Sequence, residues 1–140
     1  MSLPAVLAPL CIQVALTFAL LSWLGHQRVS LIGRGAVKPG DIALREPNWP
    51  PRVLQIQNAV SNQFELPVLF YVLTILSIIT RHADLLFVVL AWLFVLLRLV
   101  HAYIHVTDND VRRRGVVFIT GATVLMLMWA IFMLRILIGE

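Results

Sequence analysis

The sequence predicts an all-α integral membrane protein, a four-helix bundle. Of its 140 residues, 60% are hydrophobic and only 13% charged, and the mean hydropathy is +0.90. Four apolar stretches are each long enough to cross about 30 Å of hydrocarbon at about 1.5 Å per residue. A soluble domain of this length does not carry so apolar a composition. The predicted spans run over about 3–24, 53–79, 85–106 and 116–138. With one long link at about 25–52 they form a single membrane domain over residues 1–140.

The first span has no basic residues ahead of it and no clear small-residue cleavage site behind it, so it is read as a retained helix and not a signal peptide. Cys11, the only cysteine, lies within it; no intrachain disulfide is possible, and an inert packed thiol is expected. The following link contains Gly33, Gly35, Pro39, Gly40, Pro47, Pro50 and Pro51, which predicts an irregular or partly helical lid. Arg28, Arg34, Lys38, Arg45 and Arg52 cluster in it, and Arg112, Arg113 and Arg114 end the third link. The opposite side offers only Arg81 and Arg135. By the positive-inside rule both basic links are cytoplasmic and both termini are not, an inner-membrane arrangement. The formal charge of +4 is thereby read as topology, not as a nucleic-acid surface. Trp23 and Trp49 flank the long link, where interfacial tryptophan belongs.

The second span starts well at Asn48, Trp49, Pro50 and Pro51, because proline in a first turn sacrifices no helical hydrogen bond. Within it Gln55, Asn58, Asn62 and Glu65 recur at three- and four-residue steps and share a face. Pro67 has no N–H to give the carbonyl four residues earlier, so the helix should kink or loosen beside Glu65. On the third span Arg98, His101 and His105 form a matching stripe, and the same phase reaches Asn109 and Arg112. Ionisable groups in hydrocarbon cost about 3 kcal/mol each even on the lenient insertion scale, so the two stripes mark a site by default. Glu65 and Arg98 are expected to pair, since burial of either charge alone is unfavourable. The plainer alternative is that Asn62 and Glu65 only join helices by hydrogen bonds. His101 and His105 have metal-ligand spacing, but one helix supplies only two ligands and no Glu follows His101, so lining a polar cleft is the reading for them and no metal is expected. The fourth span begins after Asn109 or Asp110, either of which can cap it. Arg112 then falls in its first turn, where a guanidinium and the helix start together favour an anion. Such a site lowers the pKa of a bound thiol from about 8.5.

At these residues the chain resembles the MAPEG superfamily, membrane-associated proteins in eicosanoid and glutathione metabolism. The resemblance covers the four-span layout, the Asn62-Gln63-Phe64-Glu65 element followed by Pro67, and the Arg98-Leu99-Val100-His101 element. It implies that Asn62 and Glu65 hold the peptide part of glutathione, with Glu65 suited to its amino group. It further implies that His101 and His105 line the same site, that Arg112 stabilises the thiolate, and that the protein is a homotrimer with sites between subunits. Asn58 stands where the family usually carries an arginine, and Leu66 where a tyrosine is frequent.

The function expected from residues and resemblance together is glutathione-dependent transfer to, or peroxide reduction of, a lipophilic small molecule that enters from membrane lipid. Arg112 would be the catalytic residue, and Asn58, Asn62, Glu65, Arg98, His101 and His105 would bind glutathione as co-substrate. The alternative is a non-catalytic membrane scaffold or lipid-binding protein on the same fold. A channel is disfavoured, because the polar stripe does not continue through Tyr71, Thr74 and Ser77.

Overall fold

A computed structural model describes residues 1–140. Ser2 caps the first helix by accepting from the Ala5 N–H at 3.4 Å, and Pro4 occupies its first turn. This helix, α1, spans Leu3–Gly33. It therefore runs past Leu24 through the first third of the expected link. The reason is local: His26 to Ile32 contain no breaker, and the chain turns only at Gly33 to Gly35, where Gly35 adopts φ +73°. The helix continues after its apolar stretch has ended, so the irregular link is shorter than expected.

The second span is broken. Helix α2 covers Pro51–Asn62 and α3 covers Leu66–Ile79. Between them Glu65 adopts φ −96° and ψ −108°. Pro67, buried in the first turn of α3, accounts for this, because its ring would collide with the Gln63 carbonyl in a continuous helix. Helix α4, Leu85–Val106, starts at Asp84, whose carboxylate accepts from the Phe87 N–H at 2.9 Å. Helix α5, Val111–Ile138, starts at Asp110, whose carboxylate accepts from the Arg112 and Arg113 amides. Four units, Leu3–Gly33, Pro51–Ile79, Leu85–Val106 and Val111–Ile138, are long and apolar enough to cross a membrane.

Helix α4 packs against α1, α2 and α5. The core divides into two apolar clusters. Leu20, Leu24, Trp49, Val53, Ile56, Val60, Ala102 and Val106 fill the end that carries the basic links. Val6, Phe70, Leu73, Phe87, Phe94, Leu125 and Met128 fill the other. A polar layer lies between them at the level of the α2–α3 break, made by Gln13 of α1, Gln63 and Arg98, all buried. Phe18, Val72, Leu96, Met126 and Leu127 face outwards, as lipid-facing side chains must. Cys11 is exposed on that outer surface and is not packed within the bundle, because its position on α1 points away from α4.

Gly121 is buried on the face of α5 nearest α4, and a Cβ there would stand 3.8 Å from Leu97 Cβ, an ordinary contact. Gly121→Ala is therefore expected to raise stability by up to about 1 kcal/mol through helix propensity. Gly121→Leu overfills the contact and costs about 1–3 kcal/mol. Thermal unfolding in detergent reads both, and a lower Tm for the alanine variant contradicts this packing.

At the end away from the basic links, Arg135 pairs with Asp84 at 2.8 Å. Partial burial raises the Asp84 pKa, but the Phe87 N–H and the Arg135 guanidinium outweigh it and hold the carboxyl below the ordinary 3.8. A depressed carboxylate stabilises the fold above its unfolded pKa and loses that contribution as pH falls through the folded one. The Tm difference between wild type and Asp84→Asn should accordingly shrink as pH is lowered below the ordinary 3.8 and through the depressed pKa. A difference that stays constant as the carboxyl is protonated contradicts the pairing.

Candidate functional site

The break between α2 and α3 releases backbone groups that a continuous helix would use, and side chains gather around it. Gln63 donates through Nε2 to the Ala59 carbonyl at 3.0 Å and accepts from Gln13 Nε2 at 2.9 Å. This pair ties α1 to the break. Thr17 in turn donates to the Gln13 carbonyl at 3.1 Å. Gln13 was legible as the lone amide in an apolar span, yet the stripe on the second helix alone did not point to it.

Arg98 is only 2% exposed. Its Nη2 donates to the side-chain and backbone oxygens of Asn62, and Asn62 Nδ2 donates onward to Glu65 Oε2 at 3.2 Å. The expected Arg98–Glu65 pair is thus corrected: Asn62 stands between the two charges and bonds to both. The cause is the break, which brings the Asn62 backbone and amide oxygens over Arg98 and leaves Glu65 exposed. Gln55 does not join this group. With Arg52 it donates to the carbonyls that end α4, Gln55 to His105 and Thr107 and Arg52 to Val106.

One turn further along α4, the His101 and His105 rings meet edge to face with centroids 5.6 Å apart, and Phe118 of α5 lies 5.7 Å from His101. Nδ1 of each histidine is enclosed with no protein partner, which leaves Nε2 as the nitrogen available to a bound molecule. Asn62, Glu65, His101 and His105 line one open cleft of about 330 Å³ with Val111, Arg114, Gly115, Phe118 and Ile119. A cleft with an acid, a guanidinium, two imidazoles and an amide beside an apolar wall can hold a small zwitterion or anion next to an apolar group.

The remaining expected residues fall elsewhere in a single subunit. Arg98 sits behind Asn62. Asn58 is exposed on α2, and Arg112 is exposed at the start of α5. The cation on the cleft wall is Arg114. Counting helical phase straight from His105 leads to Arg112, but the chain turns at residues 107–110, where Asn109 takes φ 53°, and the phase restarts at the Asp110 cap. Arg114 also donates to the Asn109 side chain. Arg113 pairs with Asp108 at 3.0 Å.

Compared with known families, residues 6–134 match the MAPEG family model. The chain belongs to the MAPEG family. No curated protein and no solved structure that was compared matches it. The MAPEG fold is a four-helix membrane bundle, which this all-helical chain shares, and the protein is an integral, multi-pass membrane protein.

In this MAPEG chain the basic residues of the first link do not reach the cleft. Arg28 bonds Gln57 and lies 5.0 Å from the Trp49 ring. Arg52 lies 4.9 Å from the Trp23 ring. These reciprocal cation–aromatic contacts fasten α1 to the start of α2. Arg45 lines a second cleft on the α1 side of α2, with Arg28, Glu46 and Trp49.

Proposed function

We propose that this MAPEG protein is a glutathione-dependent membrane enzyme that transfers the thiol to a lipophilic electrophile or uses it to reduce a lipid peroxide. The observation that supports this best is the single cleft joining Asn62, Glu65, His101, His105 and Arg114. Glu65, exposed and fixed by Asn62, is suited to the ammonium of glutathione. Arg114 offers a guanidinium for a carboxylate or for the thiolate, where a preorganised cation is worth most because it need not reorganise during reaction. Arg112, exposed in the first turn after the cap, serves the same purpose if the site is completed across a subunit boundary of a homotrimer. His101 and His105 bound the cleft towards α4, and Phe118 and Ile119 offer an apolar wall to the acceptor. The bound thiolate attacks an electrophilic carbon and displaces its leaving group, or attacks one peroxide oxygen and breaks the O–O bond. The second route releases an alkoxide that takes up a proton and leaves a glutathione sulfenic acid, which a second glutathione converts to the disulfide and water.

Glutathione titration of detergent-purified protein, read by thermal unfolding, tests this, because a ligand that binds only the folded form raises its stability. The wild type should show saturable stabilisation and thiolate absorbance. Glu65→Gln should weaken binding about tenfold or more, equivalent to about 1.4 kcal/mol. Arg114→Ala should remove the thiolate signal, with Arg112→Ala showing whether the neighbouring arginine shares the task. No saturation in the wild type removes the proposal.

A second reading, a non-catalytic scaffold or lipid-binding protein, draws on Asn58. That position offers no cation, and Arg28 and Arg52 are engaged elsewhere. On this reading neither arginine variant at the start of α5 changes anything measurable, whereas Glu65→Leu and Arg98→Leu impair assembly.

A further inference from the structure

At the end of the bundle opposite the candidate cleft, the turn between α3 and α4 holds a histidine whose two ring nitrogens both meet protein oxygens. His82 Nδ1 lies 2.8 Å from Thr80 Oγ1. Its Nε2 lies 2.8 Å from the backbone oxygen of Glu140, just past α5. The ring also meets Phe132 of α5 edge-on, with centroids 6.1 Å apart. None of the other three histidines is bonded through both nitrogens.

The two oxygens are not equivalent to water. The Glu140 backbone oxygen can only accept. The Thr80 hydroxyl donates to the Leu76 carbonyl at 2.8 Å, so it turns a lone pair towards the imidazole. Three hydrogen bonds are therefore drawn, and they need two N–H groups on the ring. A neutral imidazole carries one and an imidazolium carries two. In the neutral form either a nitrogen lone pair confronts an acceptor, or Thr80 abandons Leu76 to donate to the ring. One of the three bonds is lost in each case.

The charged groups around the imidazole are Arg81 and Asp84 on its own turn and Arg135 and Glu140 at the end of α5. Asp84 and Arg135 neutralise one another at 2.8 Å and share a small cavity with His82, Ser77 and Phe132. Met1, at the start of α1, borders Arg81 and Ala83. Asp84 already has its cation, and both ring nitrogens meet acceptors, so it is the donor count that favours the charged ring.

We infer that His82 is a proton-operated clasp that fastens the end of α5 to the α3–α4 turn, holding all three hydrogen bonds when protonated and giving up one of them when neutral. The clasp closes when the ring takes up a proton and loosens when the ring gives it up. It acts on the far end of the same helix whose start carries Arg114, so it offers this face of the membrane a means of loosening α5. Nothing in it depends on the cleft binding a thiol.

The test is amide hydrogen exchange of the last turn of α5 and Glu140 in the full-length protein, in nanodiscs, at about pH 5.5 and about pH 8 and corrected for the intrinsic chemical rate. The wild type should be several-fold better protected at the lower pH. His82→Gln, which cannot titrate, should show the same protection at both. Thr80→Val removes one acceptor, so a neutral ring then satisfies the remaining one, and the pH dependence should likewise vanish. An unchanging wild type, or a pH effect that survives in His82→Gln, overturns the inference. Should that variant fail to fold, the ¹⁵N signals of the wild-type imidazole decide. Both nitrogens must be protonated at the lower pH and must titrate in step with the exchange protection, and titration out of step overturns the inference equally.

Discussion

Replacing Pro67 by alanine is expected to abolish the glutathione binding proposed for the cleft while leaving the bundle folded. The α2–α3 break exists because residue 67 has no N–H for the Gln63 carbonyl and its ring excludes helical backbone there. Alanine removes both obstacles, and a continuous helix through Asn62, Glu65 and Leu66 becomes the favoured backbone. Glu65 then leaves φ −96°, ψ −108° and rotates around the helix axis relative to the cleft wall. Thermal stability should hold or rise, since a helical hydrogen bond is gained. Binding of glutathione should fall by more than about tenfold, or about 1.4 kcal/mol. Wild-type affinity in a folded Pro67→Ala protein contradicts the link between the break and the site.

Arg98→Met separates folding from site geometry in a different way. Methionine restores much of the buried volume without a charge. Replacing a buried ion with a packed apolar side chain is often neutral or even stabilising. What is lost is the only cationic donor to Asn62. Freed from Arg98, the Asn62 amide can turn away from Glu65, so glutathione affinity should drop by about tenfold or more while Tm changes little. Arg98→Ala adds a cavity to the same loss and should cost about 2–5 kcal/mol of stability. If Arg98→Met unfolds the protein as readily as Arg98→Ala, Arg98 is a structural strut and the site argument fails. Gln13→Leu isolates the other tie to the break. It should cost about 0.6–1.7 kcal/mol, the range for interhelical hydrogen bonds in membranes, and act non-additively with Gln63→Leu.

The spans were readable because a bilayer imposes a length and an apolar composition on whatever crosses it, and the family resemblance rested on polar residues that violate that composition. Pro67 announced a kink or loosening beside Glu65, and of the two cap candidates, Asn109 and Asp110, the structure uses Asp110. What escaped the sequence depended on backbone that only the folded chain defines. The partner of Arg98 could be Glu65 or Asn62 at equal helical spacing, and the break decided for Asn62. The arginine facing the cleft could be Arg112 or Arg114, and the turn before α5 reset the count. The length of α1 was missed because its last residues leave the apolar stretch without leaving the helix, so hydropathy marks where the membrane stops and not where the coil of backbone does.

The hydrophilic belt of Gln13, Gln63, Arg98 and Asn62 has a mechanical corollary. Lipid tails resemble leucine closely enough that greasy helices gain little from one vertical alignment over another. Sliding α1 by a single turn would barely disturb contacts above or below the belt but would break the Gln13–Gln63 bond, and sliding α4 would break the Arg98–Asn62 bonds. That mid-depth layer is a detent: it sets the height of the helices, and the aliphatic positions on either side are free to drift in evolution without moving it.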